Sequence, residues 1–194
     1  MFLKSMEITK KAFFAKGHRS LVYAGFLGKK KIAIKEARKD VAVKLHIANE
    51  GKWLKVLNKY KIGPRLLGCS KNWIVYEFVS GEQFVDWIKY AKKEDTKKII
   101  KKILLQLWKL DKLGVNKEEM HRPLKHIFVK GNKVTMIDFE RCHKAKKPKN
   151  VSQFCGFLLR LGLFKGKEKR IKTTVKKYKT EYSKEKFKKL IKII

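Results

Sequence analysis

Residues 118–141 read EEMHRPLKHIFVKGNKVTMIDFER, and this stretch limits the fold more than any other. Two apolar runs, 127–130 and 134–137, flank Gly131-Asn132, which signals a β-hairpin. A hairpin brings its polar entry, residues 121–126, and its polar exit, residues 138–140, to one end. A carboxylate just past a buried strand, beside a basic loop, suits a metal-and-phosphate site. The metal takes hard oxygen ligands, and phosphoryl oxygens in transfer need cations around them. Asp138 is that carboxylate. The same residues also describe a plain hairpin with an exposed acidic end.

Charge is the second constraint. Fifty-one Lys and Arg against 17 Asp and Glu leave +34 over 194 residues, far more than solubility requires. Such an excess points to a polyanion partner, RNA or DNA first and an acidic membrane surface second. The competing explanation is the lysine-rich bias of a heat-adapted proteome, but that bias raises Glu together with Lys, and Glu is scarce here. A hydrophobic share of 44% with four Trp supplies a core and excludes wholesale disorder. The length suits one domain or two small lobes sharing a cleft. No apolar run approaches the roughly 18 residues of a membrane span, so no transmembrane segment is expected. The N-terminus lacks the long apolar stretch of a signal peptide. Cys69, Cys142 and Cys155, odd in number and without metal spacing, read as reduced thiols of a cytoplasmic protein.

In chain order, residues 1–14 open with a strand or a helix. Leu21-Val22-Tyr23 and Ile32-Ala33-Ile34 are the cores of two strands around a glycine- and lysine-bearing turn. Gly17 and Ser20 stand at the start of the first, where backbone can approach phosphate. Lys35 ends the second, a position that points its side chain along an inner face. Asp40 caps a helix over about 41–59 whose apolar rhythm is Leu45/Ile47, Leu54 and Leu57. Glu50, the one acid near its middle, reads either as a solvated charge on a basic face or as an ion partner for Lys35. Gly63-Pro64 stops that helix. Residues 73–79 form a strong strand, broken at Ser80-Gly81. Phe84, Trp87, Ile88 and Ala91 follow at helical spacing, and residues 96–113, entered at Asp95 or Thr96, form the clearest helix, stopped by Gly114. Residues 154–161 and the tail from Lys165 read as basic amphipathic helices that close the domain.

The order of these pieces resembles a compressed protein kinase. Ala33-Ile34-Lys35 is similar to the strand whose lysine holds the α- and β-phosphates, and Glu50 lies where the family has its pairing glutamate. Residues 75–79 resemble the segment joining the lobes, whose backbone holds adenine, and this nominates Glu77 and Val79. Ile137-Asp138-Phe139 resembles the metal-binding Asp-Phe-Gly strand end. The match runs over about residues 15–160 and is closest to small archaeal kinase-like proteins akin to the RIO kinases and the kinase of the tRNA-threonylcarbamoylation complex. It implies an α+β, two-lobed kinase-like fold: an N-lobe over 1–79 with a small antiparallel sheet and one helix, and a reduced helical C-lobe over 80–194.

The chain departs from that pattern in three places. Only Gly17 and Ser20 represent the glycine-rich loop. Glu140 replaces the glycine after Phe139, as in aminoglycoside- and choline-type phosphotransferases. In one register His121-Arg122-Pro123-Leu124-Lys125 imitates His-Arg-Asp-Leu-Lys with proline at the aspartate, which describes a pseudokinase. In a second register, preferred because it keeps a carboxylate, Lys117-Glu118-Glu119 stands for His-Gly-Asp and His126 falls at the metal-binding asparagine. The resemblance then implies phosphoryl transfer from ATP with Mg²⁺ (or Mn²⁺) to a Ser/Thr hydroxyl of a protein. Asp138 and His126 hold metal, Lys35, oriented by Glu50, holds the phosphates, Glu119 positions the acceptor hydroxyl, and Lys125 offsets charge. Gly17, Ser20, Lys35, Glu77 and Val79 hold nucleotide. The charge adds a possible RNA partner, tRNA or ribosome. A small-molecule phosphotransferase and a silent kinase-fold RNA-binding module are the alternatives.

Overall fold

The structure, a computed structural model, describes residues 7–38 and 44–194. These form two compact units: the described part of Met1–Ser80 together with Thr135–Arg141, and Gly81–Val134 with Cys142–Ile194.

The first unit is built on an antiparallel sheet of β1 (Ile8–Lys16), β2 (Ser20–Leu27), β3 (Lys30–Ala37), β4 (Leu66–Cys69) and β5 (Trp73–Glu77), ordered β1-β2-β3-β5-β4. From Ile8 on, the opening segment is therefore a strand, at the sheet edge; residues 1–6 lie outside the described residues. β3 is central, and Ile32, Ala33, Ile34 and Lys35 are all buried. Its Lys35 stands opposite Val22 on one side and Ile74 on the other. One helix follows, α1 (Lys44–Leu57), continued by a 3₁₀ turn over Asn58–Tyr60. The expected cap Asp40 and residues 41–43 lie outside the described residues. Ile47, Leu54 and Leu57 form the buried stripe of α1, whereas Leu45 is 81% exposed, so the rhythm that includes Leu45 overstates the apolar face. The helix also ends before Gly63-Pro64. Lys61 turns left-handed (φ 58), and Asn58 bonds the carbonyls of Ile62 and Pro64 and the Leu66 N–H, which fixes the connection into β4.

The second unit carries α2 (Phe84–Trp87), α3 (Lys93–Lys112), α4 (Asn150–Arg160), α5 (Glu168–Glu181) and α6 (Lys184–Ile193). Its strands are short: β6 (Glu82–Gln83) pairs with β8 (Ile127–Lys130), and β7 (Val115–Asn116) pairs with β10 (His143–Lys144). The hairpin expected around Gly131-Asn132 is present, its return strand β9 running over Lys133–Met136. α3 begins one turn earlier than expected. Glu94 and Asp95 fall in its first turn and Lys109 and Lys112 in its last, which matches charge to both ends of the helix dipole. Ile99, Ile103, Leu107 and Leu110 are buried at spacings of three and four.

The tail is two helices rather than one. Tyr182 turns left-handed (φ 52), and the Ser183 hydroxyl accepts the Lys186 N–H at 3.2 Å, starting α6 with a side-chain cap. The Phe187 ring then stacks on Trp108 at 5.1 Å and 9°, fastening the last helix to α3. No helix among the described residues is long and apolar enough to cross a membrane.

Candidate active site

In the first unit the site grows out of one close approach of helix to sheet. A Cβ placed on Gly51 meets the Cys69 Cβ at 2.9 Å and the Ile74 Cγ2 at 3.2 Å, so α1 lies closer to β4 and β5 than a side chain there permits. The residue before it, Glu50, is thereby held against the sheet. Its carboxylate reaches Lys35 of β3, with Oε2 2.7 Å from Nζ. Both are buried, Lys35 to 8% exposure and Glu50 to 2%. Of the two readings of Glu50, the structure has the ion partner.

The strand-exit residues 138–140 join the same point. Asp138 adopts φ 64, a left-handed conformation that Asp accepts better than most side chains. Its Oδ1 lies 3.0 Å from Lys35 Nζ. The Phe139 N–H donates to the second oxygen of Glu50 at 3.1 Å, and the Phe139 ring is fully buried. Gly63, at φ +81, would bring a Cβ within 3.0 Å of that ring. Its lack of a side chain thus makes room for the aromatic residue that anchors Asp138.

Glu140 is the unanticipated member. Its Oε2 lies 3.1 Å from Lys35 Nζ and its Oε1 3.1 Å from the Arg19 guanidinium. The side-chain amide of Asn49 bonds its carbonyl at 2.8 Å. Carboxylate oxygens of Glu50, Asp138 and Glu140 come within 4.8 Å of one another. A hard oxygen set of this kind suits Mg²⁺ better than a softer metal. Asp138 is the most exposed of the three, with 31% of its side chain open.

The electrostatics are those of a packed ion cluster. Burial pulls the Lys35 ammonium down, but Glu50, Asp138 and Glu140 together outweigh it and hold Lys35 well above the ordinary lysine range. Burial pushes Glu50 up and the Asp138 charge adds to that, opposed by Lys35. Tyr76 on β5 is raised by burial and by Glu50. Lys35 is thus charged throughout the physiological range.

The nucleotide-side residues named from sequence are placed as follows. Gly17 is exposed in a turn whose N–H bonds the Ser20 carbonyl at 2.8 Å, and Ser20 is buried. Glu77 ends β5 half-buried, its N–H on the Arg65 carbonyl at 2.9 Å. Val79 is half-buried two residues on.

In the second unit, Glu119 has φ 74 and its carboxylate lies 3.4 Å from the His126 Nε2. Lys125, next to His126 in sequence, is exposed. This loop hangs from a buried network that sequence reasoning missed. Asp111, at the end of α3, accepts from the Asn150 N–H and side-chain amide at 3.1 and 2.7 Å and from the Tyr178 hydroxyl at 2.7 Å. Asn150 in turn bonds the Val115 carbonyl and the Lys117 N–H, both at 2.7 Å. The signal was faint, because an acid on a lysine-rich helix reads as solvated.

Arg19 and Glu140 were likewise not named as site residues. The available signal was the acid itself. With 17 Asp and Glu in the whole chain, an acid directly after a buried Asp-Phe strand end is conspicuous.

No family model matches the sequence, and no curated protein matches it. Among solved structures, the chain is similar to the Rio2 kinase of Chaetomium thermophilum, crystallised as an ADP/Mg²⁺-phosphoaspartate complex. The TM-score is 0.64 at 13% sequence identity, over 98% of this chain and 72% of that one. The antiparallel sheet, its single following helix and the helical second unit agree with that likeness. The chain has a protein-kinase-like α+β fold.

Proposed function

We propose that this protein transfers the γ-phosphoryl group of ATP to a Ser/Thr hydroxyl of a protein. The observation that carries the reading is Lys35, buried on β3 and held 2.7 Å from Glu50 and 3.0 Å from Asp138. That is the arrangement in which a phosphate-holding lysine stands beside a metal-binding carboxylate. Mg²⁺, or Mn²⁺, when bound supplies positive charge to the β- and γ-phosphate oxygens.

In this reading Lys35, oriented by Glu50, holds the phosphates, and Asp138 offers the oxygen that holds the metal. His126 holds a second ion, and Glu119 orients the acceptor hydroxyl. Lys125 offsets charge on the transferring group. Glu77 and Val79 present backbone to adenine, with Gly17 and Ser20 at the phosphate side. Chemistry of this kind is mostly positioning and charge stabilisation, so it needs few residues.

The test is transfer of labelled γ-phosphate in Mg²⁺, followed by analysis of the labelled residue. Label on Ser or Thr of the protein itself or of a protein acceptor supports the reading. Label confined to a small hydroxyl compound replaces the protein acceptor with a metabolite.

A second role is favoured by β1. Phe13 and Phe14 are 61% and 57% exposed on an edge strand that also carries Lys10, Lys11 and Lys16, and exposed rings between cations suit stacking on RNA bases. RNA affinity is then expected to fall steeply between low salt and about 0.2 M. Salt-independent binding contradicts it.

A further inference from the structure

An ammonium has three N–H donors. On Lys35, Glu50 at 2.7 Å, Asp138 at 3.0 Å and Glu140 at 3.1 Å make three carboxylate partners. In this arrangement no donor is left for a phosphate oxygen, so a phosphate that binds Lys35 must replace one of the three. Glu50 is not free to leave, since its other oxygen holds the Phe139 N–H and it is almost fully buried. Glu140 differs. Its second oxygen lies on Arg19, so its carboxylate spans two cations as two oxygens of a phosphate would. Its carbonyl is held separately by Asn49, which lets the side chain swing while the main chain stays.

Arg19 sits in the turn before β2, the segment that the phosphoryl-transfer reading places at the phosphates. The turn's Gly17 N–H is committed to the Ser20 carbonyl at 2.8 Å, while the Arg19 guanidinium already holds an anion, the Glu140 carboxylate, at 3.1 Å. Its planar fork matches phosphate oxygens in a way that an ammonium does not.

We propose that Lys35 and Arg19 form a two-cation phosphate clamp, that the Glu140 carboxylate occupies it in the nucleotide-free protein, and that the nucleotide's phosphates displace Glu140 on binding. Arg19 is then a phosphate-binding residue, and Glu140 sets nucleotide affinity as an internal competitor. This rests on the nucleotide site proposed above and assigns two residues to it.

The two substitutions have opposite expected signs, which a merely structural role for either does not produce. Calorimetric titration of the full chain with MgATP is expected to show Glu140→Gln binding roughly tenfold tighter than the wild type, and Arg19→Ala roughly tenfold weaker. Adenosine, which lacks phosphates, is expected to bind all three alike. Thermal melting verifies that each variant is folded, and the near-isosteric Gln leaves the packing around residue 140 intact. Wild-type binding that Lys35→Met abolishes, with Glu140→Gln unchanged or weaker, overturns this inference alone. Folded wild type and Glu140→Gln that both ignore MgATP overturn the phosphoryl-transfer reading and this inference with it. Binding that appears only in Glu140→Gln supports both.

Discussion

The Glu50 carboxylate lies 2.7 Å from the Lys35 ammonium, and each is buried where the other is its nearest opposite charge. Without Glu50 the Lys35 ammonium still has Asp138 and Glu140 beside it, but the Phe139 N–H loses its acceptor, and a buried donor left unsatisfied costs about 1–3 kcal/mol. Glu50→Ala is expected to fall in that range in urea unfolding. Glu50→Gln keeps a carbonyl oxygen for the Phe139 N–H and costs less. Equal losses in the two variants contradict the account.

Stability is expected to fall steeply at alkaline pH. Lys35 is raised by its three carboxylates against the pull of burial, and burial raises Tyr76, Tyr178 and the Cys155 thiol, the last to about 12. Each group keeps its proton in the folded protein at a pH where the unfolded chain has lost it. The stability these shifts contribute is therefore fully present below the unfolded values, about 8.5 for Cys and 10 for Tyr and Lys. It is lost as pH climbs through the folded ones. Urea midpoints at pH 8, 9, 10 and 11 check this, and a flat profile up to pH 11 contradicts it.

Gly51→Ala places a Cβ 2.9 Å from Cys69 Cβ. α1 must then move off β4 and β5, taking Glu50 with it. A loss of about 1–3 kcal/mol is expected, together with weakened nucleotide binding. Cys69→Ala removes only the thiol and leaves the clashing Cβ, so it is not expected to rescue the variant. Gly51→Ala with wild-type stability and binding contradicts the role of the close approach.

Tyr178→Phe removes one hydrogen bond from the buried Asp111, which still keeps those from Asn150. Hydrogen bonds to a charged group are worth about 1.5–3 kcal/mol, and that loss is expected. Hydrogen exchange at residues 115–119 is expected to quicken with it, because Asn150 carries the Lys117 N–H. Unchanged exchange there contradicts the network as the support of the loop.

Much of the fold was legible because it rests on local rules. Val22, Ile34, Lys35 and residues 73–77 alternate or run as strands do, and Gly131-Asn132 marks its hairpin. The meeting of Lys35, Glu50 and Asp138 was legible because a fixed order of residues carries it. What escaped depends on contacts far apart in sequence. Glu140 meets Arg19 across 121 positions, and Asp111 meets Tyr178 across 67. No periodicity in either segment encodes such pairs. The break at Tyr182 and Ser183 was missed for another reason: the apolar spacing only slips to five between Tyr182 and Phe187, a step easily read as one helix, and the Ser183 cap marks the new one.

The most direct test of phosphoryl transfer is labelled γ-phosphate transfer in Mg²⁺ by wild type and Asp138→Asn, with melting curves of both. The account predicts label on protein from the wild type, and a loss of roughly a hundredfold or more in the variant at nearly unchanged melting temperature. Equal transfer by the two proteins, or a wild type that neither transfers label nor is stabilised by MgATP, contradicts it.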